Sequence, residues 1–172
     1  MNMSEEQKAA NTSTENMDYS GRPFGYLSPD KETAMICVQD QNTCALINNS
    51  LIELNYDTVK PATFKEALRY MRFHIFDVIV VDENFDISVL EVNQVLNYIE
   101  NLVMPIRRQS FVVLLSEIYP TLDSMRAYSR SVNLIINKKE IADAGIILKK
   151  EIASNKDFYF LFKTAIRKFG KL

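Results

Sequence analysis

The chain has 172 residues, 47% hydrophobic and 24% charged, enough for one domain with a modest appendage and a core that needs no staples. Two cysteines, Cys37 and Cys44, and one histidine, His74, exclude a disulfide framework and a zinc site. No apolar run has the length of a membrane span and the amino terminus lacks a signal-peptide core, so a reducing cytoplasm is the expected compartment. The net charge of −2 conceals an asymmetry: residues 30–106 carry −7 and residues 107–172 carry +7. Opposed halves suit head-to-tail association or an acidic partner, and equally two solvated faces that differ by chance.

Residues 1–29 are rich in Ser, Thr, Asn and Glu without an apolar period, and read as a disordered or loosely docked tail. Tyr19, Phe24, Tyr26 and Leu27 near its end are candidates for packing on the domain. A domain is expected over residues 30–153, where short apolar runs alternate with helical patterns. Ala34–Val38 reads as a buried strand, and Thr43–Tyr56 as a helix lying on the sheet. Asp57–Lys60 is a short strand stopped by Pro61, and Thr63–Phe73 a helix with Thr63 and Glu66 spaced as a capping box. Asp77–Val81 and Phe111–Leu115 are uninterrupted β-branched or aliphatic runs, the mark of central parallel strands covered on both faces. Ser88–Val103 and Thr121–Val132 read as helices, Leu134–Ile136 as the fifth strand, and Ile141–Ile152 opens the last helix.

This alternation predicts an α/β fold with a parallel sheet and helices on both faces. In such sheets the functional crevice lies outside the carboxyl ends of the strands. Gln39 and Asp40 follow the first strand, and Asp82, Glu83 and Asn84 the third. Ser116 follows the fourth, and Asn137 and Lys138 the fifth. The order of acid, Asp, Ser and Lys at successive strand ends resembles the receiver domains of response regulators over roughly Glu32 to Ile152. The block MRFHIFDVIVVDENFD, Met71 to Asp86, is similar to the segment that ends at the phosphorylated aspartate in that family.

The resemblance implies a flavodoxin-like, doubly wound, five-stranded parallel sheet of order 2-1-3-4-5 with an extended or extra helix at the carboxyl terminus. It makes Asp82 the phospho-acceptor, a carboxylate that attacks phosphorus once a divalent cation neutralises the transferring group. It assigns that cation, Mg²⁺, to Asp40, Asp82 and the backbone carbonyl of Asn84. Ser116 becomes the hydroxyl that contacts the phosphoryl oxygens and moves on activation. The sequence departs from the pattern in several places. Gln39 stands where the first acid of the pair is usual, which weakens a site for a hard cation. With LIIN matched to the fifth strand, Asn137 takes the lysine position and Lys138 that of the usual proline; a slip of one residue puts Lys138 in the lysine position. Leu134 replaces the switch aromatic, and the link from Asp82 to Ser116 is long. Asp40 and Ser116 also have plain readings, as a helix cap and a turn residue.

None of the four glycines lies at a strand-to-helix turn, which argues against a dinucleotide, P-loop or flavin site. His74 reads as a packed helix-end residue, and Arg107 with Arg108 as a solvated loop pair; nucleic acid is not an expected partner. Ile141, Gly145, Leu148, Ile152, Tyr159, Phe162, Ile166 and Phe169 continue a seven-residue spacing. Two readings follow: one long helix with a seam for homodimerisation, or a break at Ser154–Asp157 with Asp157 capping a separate amphipathic helix over residues 154–172. The expected function is a receiver-like signal-transduction module that binds other signalling proteins without being phosphorylated and without a resident cofactor. The alternatives are a phosphorylation-competent receiver that binds Mg²⁺ through Asp40 and Asp82, and a small-molecule sensor using the same crevice.

Overall fold

Five apolar runs become five strands: β1 (Glu32–Cys37), β2 (Tyr56–Val59), β3 (Val78–Asp82), β4 (Phe111–Ser116) and β5 (Leu134–Asn137). In the computed structural model, which describes residues 31–87 and 92–169, they form one parallel sheet in the order β2-β1-β3-β4-β5. The doubly wound architecture expected from the alternation is thus what forms. The expected tail over residues 1–29, with Tyr19, Phe24, Tyr26 and Leu27, lies outside the described residues, as does Asp30. Every residue of β3 and β4 is buried, because helices cover both faces. The period of two divides their side chains between two cores. Ile36, Val80, Val113 and Ile136 pack with Leu51 and Leu148 on one face. Met35, Ile79, Leu114 and Ile135 pack with Phe76, Phe85 and Leu96 on the other.

The helices are α1 (Gln41–Glu53), α2 (Phe64–Phe73), α3 (Gln94–Glu100), α4 (Met104–Arg107), α5 (Ser124–Ser129) and α6 (Ala144–Phe169), the last preceded by a 3-10 segment, Lys138–Asp143. The Thr63 side chain caps α2 by accepting from Glu66 N–H at 3.3 Å, and Glu66 reaches back to Ala62 N–H at 2.8 Å. Helix boundaries depart from the apolar period wherever a cap intervenes. Of the helix expected over Ser88–Val103, residues 88–91 lie outside the described residues; the described part starts at Gln94. There the Asn93 side chain accepts from Val95 and Leu96 N–H and so fixes the first turn. Pro105 then opens the separate short α4. The helix expected from Thr121 begins at Ser124, since Leu122 has φ of 64° and Asp123 is the cap.

The carboxyl-terminal segment forms one long helix, not two. Asp157 is not a cap, and α6 runs through residues 154–157 without interruption, since neither glycine nor proline interrupts the stretch. A boundary at residues 153 and 154 therefore falls inside a helix. The amino-terminal half of α6 buries Ala144, Leu148 and Ile152. Gly145 lets it approach α1 closely: a Cβ there would stand 3.1 Å from Ser50 Oγ. Further along, Lys156 pairs with Glu32 and lies over the Tyr56 ring, and Arg108 lies over Phe162. Phe158 and Leu161 are each 79% exposed. The side chain of Ile166 lies outside the described residues. Among the described residues no helix is long and apolar enough to cross a membrane.

His74 ends α2 as expected, its Nε2 2.8 Å from Thr33 Oγ1. Arg107 is not the solvated residue its charge suggests. It is buried, and its guanidinium donates to the carbonyls of Ser110 and Ser131 and to Asn133 Oδ1. Asn133 Oδ1 also accepts from Val112 N–H, so this one side chain ties α4 to the starts of β4 and β5. The Ser110 carbonyl that Arg107 satisfies lies in a buried setting and that of Ser131 in a partly buried one. Arg107→Ala is expected to destabilise the domain by about 3 kcal/mol, read as a lower urea midpoint, with Arg107→Lys recovering only part because an ammonium cannot reproduce the fork.

Candidate functional site

All five strands run the same way, so their carboxyl ends share one edge. The registers set Asp82 beside Leu115 and Ser116 beside Asn137. The residues singled out from the sequence are thereby brought to one end of the sheet.

Asp82 is the last residue of β3 and is buried. Its Oδ1 accepts from Asn84 N–H at 2.9 Å and its Oδ2 pairs with Lys138 Nζ at 2.9 Å. Of the two candidates after β5, Lys138 is the one that meets Asp82. Asn137 turns instead to the loop after β4, donating to the Tyr119 carbonyl at 2.8 Å. The Lys138 ammonium also reaches Glu117 Oε1 at 3.0 Å. Burial alone would lower its pKa; the hydrogen bonds and charges of Asp82 and Glu117 outweigh that and hold it above the ordinary value of 10.5.

Ser116 ends β4 and is fully buried. Its hydroxyl donates to Glu83 Oε2 at 2.7 Å and accepts from Ile118 and Tyr119 N–H, each at 3.1 Å. The other oxygen of Glu83 accepts from Glu117 N–H at 2.6 Å. Asn93 closes the site from the α3 side by donating to the Asp82 and Glu83 carbonyls at 2.8 and 3.2 Å.

Asp40, expected to share a cation with Asp82, is exposed and caps α1, its Oδ2 accepting from Thr43 N–H at 2.7 Å. The hydrogen bonds from Thr43 hold its carboxyl below the usual range, and the charge of Lys138 adds to this. Because β1 runs parallel to β3, the segment after β1 that carries Asp40 lies on the same edge as the Asp82–Lys138 pair.

Sequence reasoning missed Glu83, Asn93 and Glu117. Asn93 carried a readable signal, a helix-capping residue just before Val95, Leu96 and Ile99. Glu83 was placed at the end of the third strand but given no role, and Glu117 was not singled out, because their contacts depend on which strands are neighbours.

Solved structures place the fold. The model aligns with a response regulator from Thermotoga maritima at 21% identity and TM-score 0.54, covering 72% of this chain and 98% of that one. It aligns with the chemotaxis response regulator CheY4 of Vibrio cholerae at 11% identity and TM-score 0.56, covering 71% and 98%. The fold is that of response-regulator receiver domains. A third match is the receiver domain of the sensor histidine kinase PA1611 from Pseudomonas aeruginosa, described with a magnesium ion coordinated in its active-site cleft (17% identity, TM-score 0.54, covering 72% and 98%). No family model matches the sequence, and no curated protein matches it.

The donor set here suits such a cation poorly. A hard divalent ion needs several anionic oxygens. Gln39 offers a neutral amide, Asp40 is committed to a helix cap, and both oxygens of Asp82 are already engaged. Among the described residues no group of three or more His, Cys, Asp or Glu side chains is arranged to hold a metal.

Lys138 is what neutralises Asp82. Lys138→Met is expected to destabilise the domain by about 2 kcal/mol, less than loss of a partner from a fully buried pair because Lys138 keeps some solvent. A lysine raised in the folded state contributes stability that is complete below pH 10.5 and is lost as pH rises through its folded value. The difference between the two proteins in urea denaturation should therefore be constant around neutrality and shrink at alkaline pH.

Proposed function

We propose that this domain is a signalling module that acts by protein–protein interaction, with Asp82 serving as a structural anion and not as a phospho-acceptor. The observation that carries this reading is the engagement of the groups around Asp82: Gln39 is neutral, the Asp40 carboxylate caps α1, Glu83 is bound by Ser116 and the Glu117 amide, and Glu117 is paired with Lys138. Phosphoryl transfer to a carboxylate requires a cation or its equivalent to neutralise the transferring group, and here the resident cation is Lys138, already bound to Asp82 and Glu117.

The partners are other signalling proteins, and two surfaces suit them. One is the loop after β4 with α5, where Ile118, Leu122, Met125 and Tyr128 are exposed. The other is the far half of α6, where Phe158, Leu161 and Phe169 are exposed and suited to a homodimer. A second reading, a competent receiver phosphorylated on Asp82 with Mg²⁺ on Asp40 and Asp82, is favoured by the 2.9 Å contact of Lys138 with Asp82. A small-molecule sensor using this crevice gains no support from the cavity of about 390 Å³ lined by His74, Phe76, Tyr98 and Ser110, which lies at the opposite end of the sheet.

Incubation with acetyl phosphate and Mg²⁺, followed by intact mass measurement under mild conditions, separates the first two readings. No adduct is expected. A labile phosphoryl adduct that disappears in Asp82→Ala would establish the competent receiver instead.

A further inference from the structure

The cavity of about 390 Å³ at the amino end of the sheet is a groove between the end of α2 and the segment that joins α3 to α4. Phe73, Ile75, Tyr98, Leu102 and Ile106 give it largely apolar walls. Two of them face water: Phe73 is 68% exposed and Ile75 38%. Apolar side chains gathered at a cleft of this size are the mark of a binding surface. The chain enters β1 beside this groove. Thr33 Oγ1 stands 2.8 Å from Nε2 of His74, which lines the groove, and Thr33 N–H donates to Asp77 Oδ2 at 2.9 Å. Ahead of β1 the sequence carries Tyr19, Phe24, Tyr26 and Leu27. A chain extends at most about 3.6 Å per residue, so Leu27 has a reach of about 14 Å from Lys31 and Phe24 of about 25 Å. The wall of the groove begins within hydrogen-bond distance of Thr33, and these spans suffice to meet it.

We propose that this groove is the seat of the chain's own residues 19–27, with Phe24, Tyr26 and Leu27 set against Phe73, Ile75 and Leu102. Three features favour this occupant over a separate partner. The first is the tether: a segment joined through a few residues has an effective concentration on the order of millimolar, so modest apolar burial is enough to seat it. The second is composition. Pro23 stands between Gly21 and Gly25, a sequence that does not favour a helix, and in an extended run Phe24 and Tyr26 share one side. A tyrosine at the rim of a groove buries its ring and keeps its hydroxyl in water. The third is charge. Ile75 also lines a smaller adjoining cleft, with Asp77, Gln109, Lys163 and Arg167. Asp77 is engaged by Thr33 N–H, whereas Lys163 and Arg167 of α6 suit the acidic Glu15 and Asp18 that precede the aromatic run. Docking there covers the apolar wall and joins the amino-terminal segment to α2, α3 and α6. The groove lies at the end of the sheet opposite Asp82, so the proposal does not depend on whether Asp82 is phosphorylated.

Paramagnetic relaxation read by NMR on the full chain tests this. A nitroxide is attached at Ser20→Cys in a Cys44→Ser background; Cys37 is fully buried and stays unlabelled. The amide signals of residues 72–76 and 98–102 should be lost relative to the sample with reduced nitroxide, while those of residues 82–84 at the opposite end of the sheet should keep their intensity. The loss should disappear in Phe24→Ser/Tyr26→Ser/Leu27→Ser, which alters the segment, and in Ile75→Glu, which alters the wall at a position partly open to water. Should Ile75→Glu not fold, the triple variant decides alone, since its changes lie ahead of β1. A mixture of nitroxide-bearing protein without isotope enrichment and enriched protein without nitroxide should show no loss. Attenuation spread evenly over the domain, or centred away from the groove, would overturn the proposal. So would groove attenuation that survives in the triple variant, or attenuation in the mixture, which would assign the groove to the segment of a second copy.

Discussion

The parallel run of five strands is the constraint on which the rest depends. Parallel neighbours must be joined by crossovers, so each strand is followed by a helix or loop on one face or the other, and all carboxyl ends gather on one edge. Asp82, Ser116 and Lys138 are far apart in sequence and come to one edge only because β3, β4 and β5 are consecutive in the sheet. Burial of β3 and β4 on both faces makes this edge rigid. A side chain at the last residue of such a strand has little freedom to escape.

On that edge the charges are arranged to satisfy one another. Asp82 holds Lys138, and Lys138 also holds Glu117. The Glu117 N–H is bound by Glu83, and Glu83 holds Ser116. In a partly buried setting, charged groups that lack partners are costly, and this network leaves the carboxylates of Asp82 and Glu83 each with more than one donor. Asp82 is met in this arrangement by a lysine and a main-chain amide, while the residue after β1 that stands before Asp40 is the neutral Gln39.

Away from the edge, α6 links domain and surface. Its first half is part of the core, its middle is tethered by Lys156 to Glu32 and by Arg108 to Phe162, and its far half offers aromatic side chains to solvent. The seven-residue spacing was visible in the sequence. Continuity through Ser154–Asp157 was not, because a potential capping residue such as Asp157 is compatible with a helix interior when nothing nearby stops the helix.

Strands and sheet type were legible from residue order alone. Consecutive β-branched and aliphatic residues such as those of β3 and β4 have few alternatives to a doubly covered strand. Asp82 and Ser116 were legible as site candidates because they end those strands, and Asp40 because it follows β1. Helix starts were less legible, since a single cap, Asn93 or Asp123, overrides the apolar period. What only the tertiary structure decided was pairing: that Lys138 and not Asn137 meets Asp82, that Arg107 is buried among carbonyls, and that Glu83 reaches Ser116. Residue order specifies which groups stand at a strand's end. Which of them touch depends on strand adjacency, register and the reach of each side chain, and those are properties of the assembled sheet.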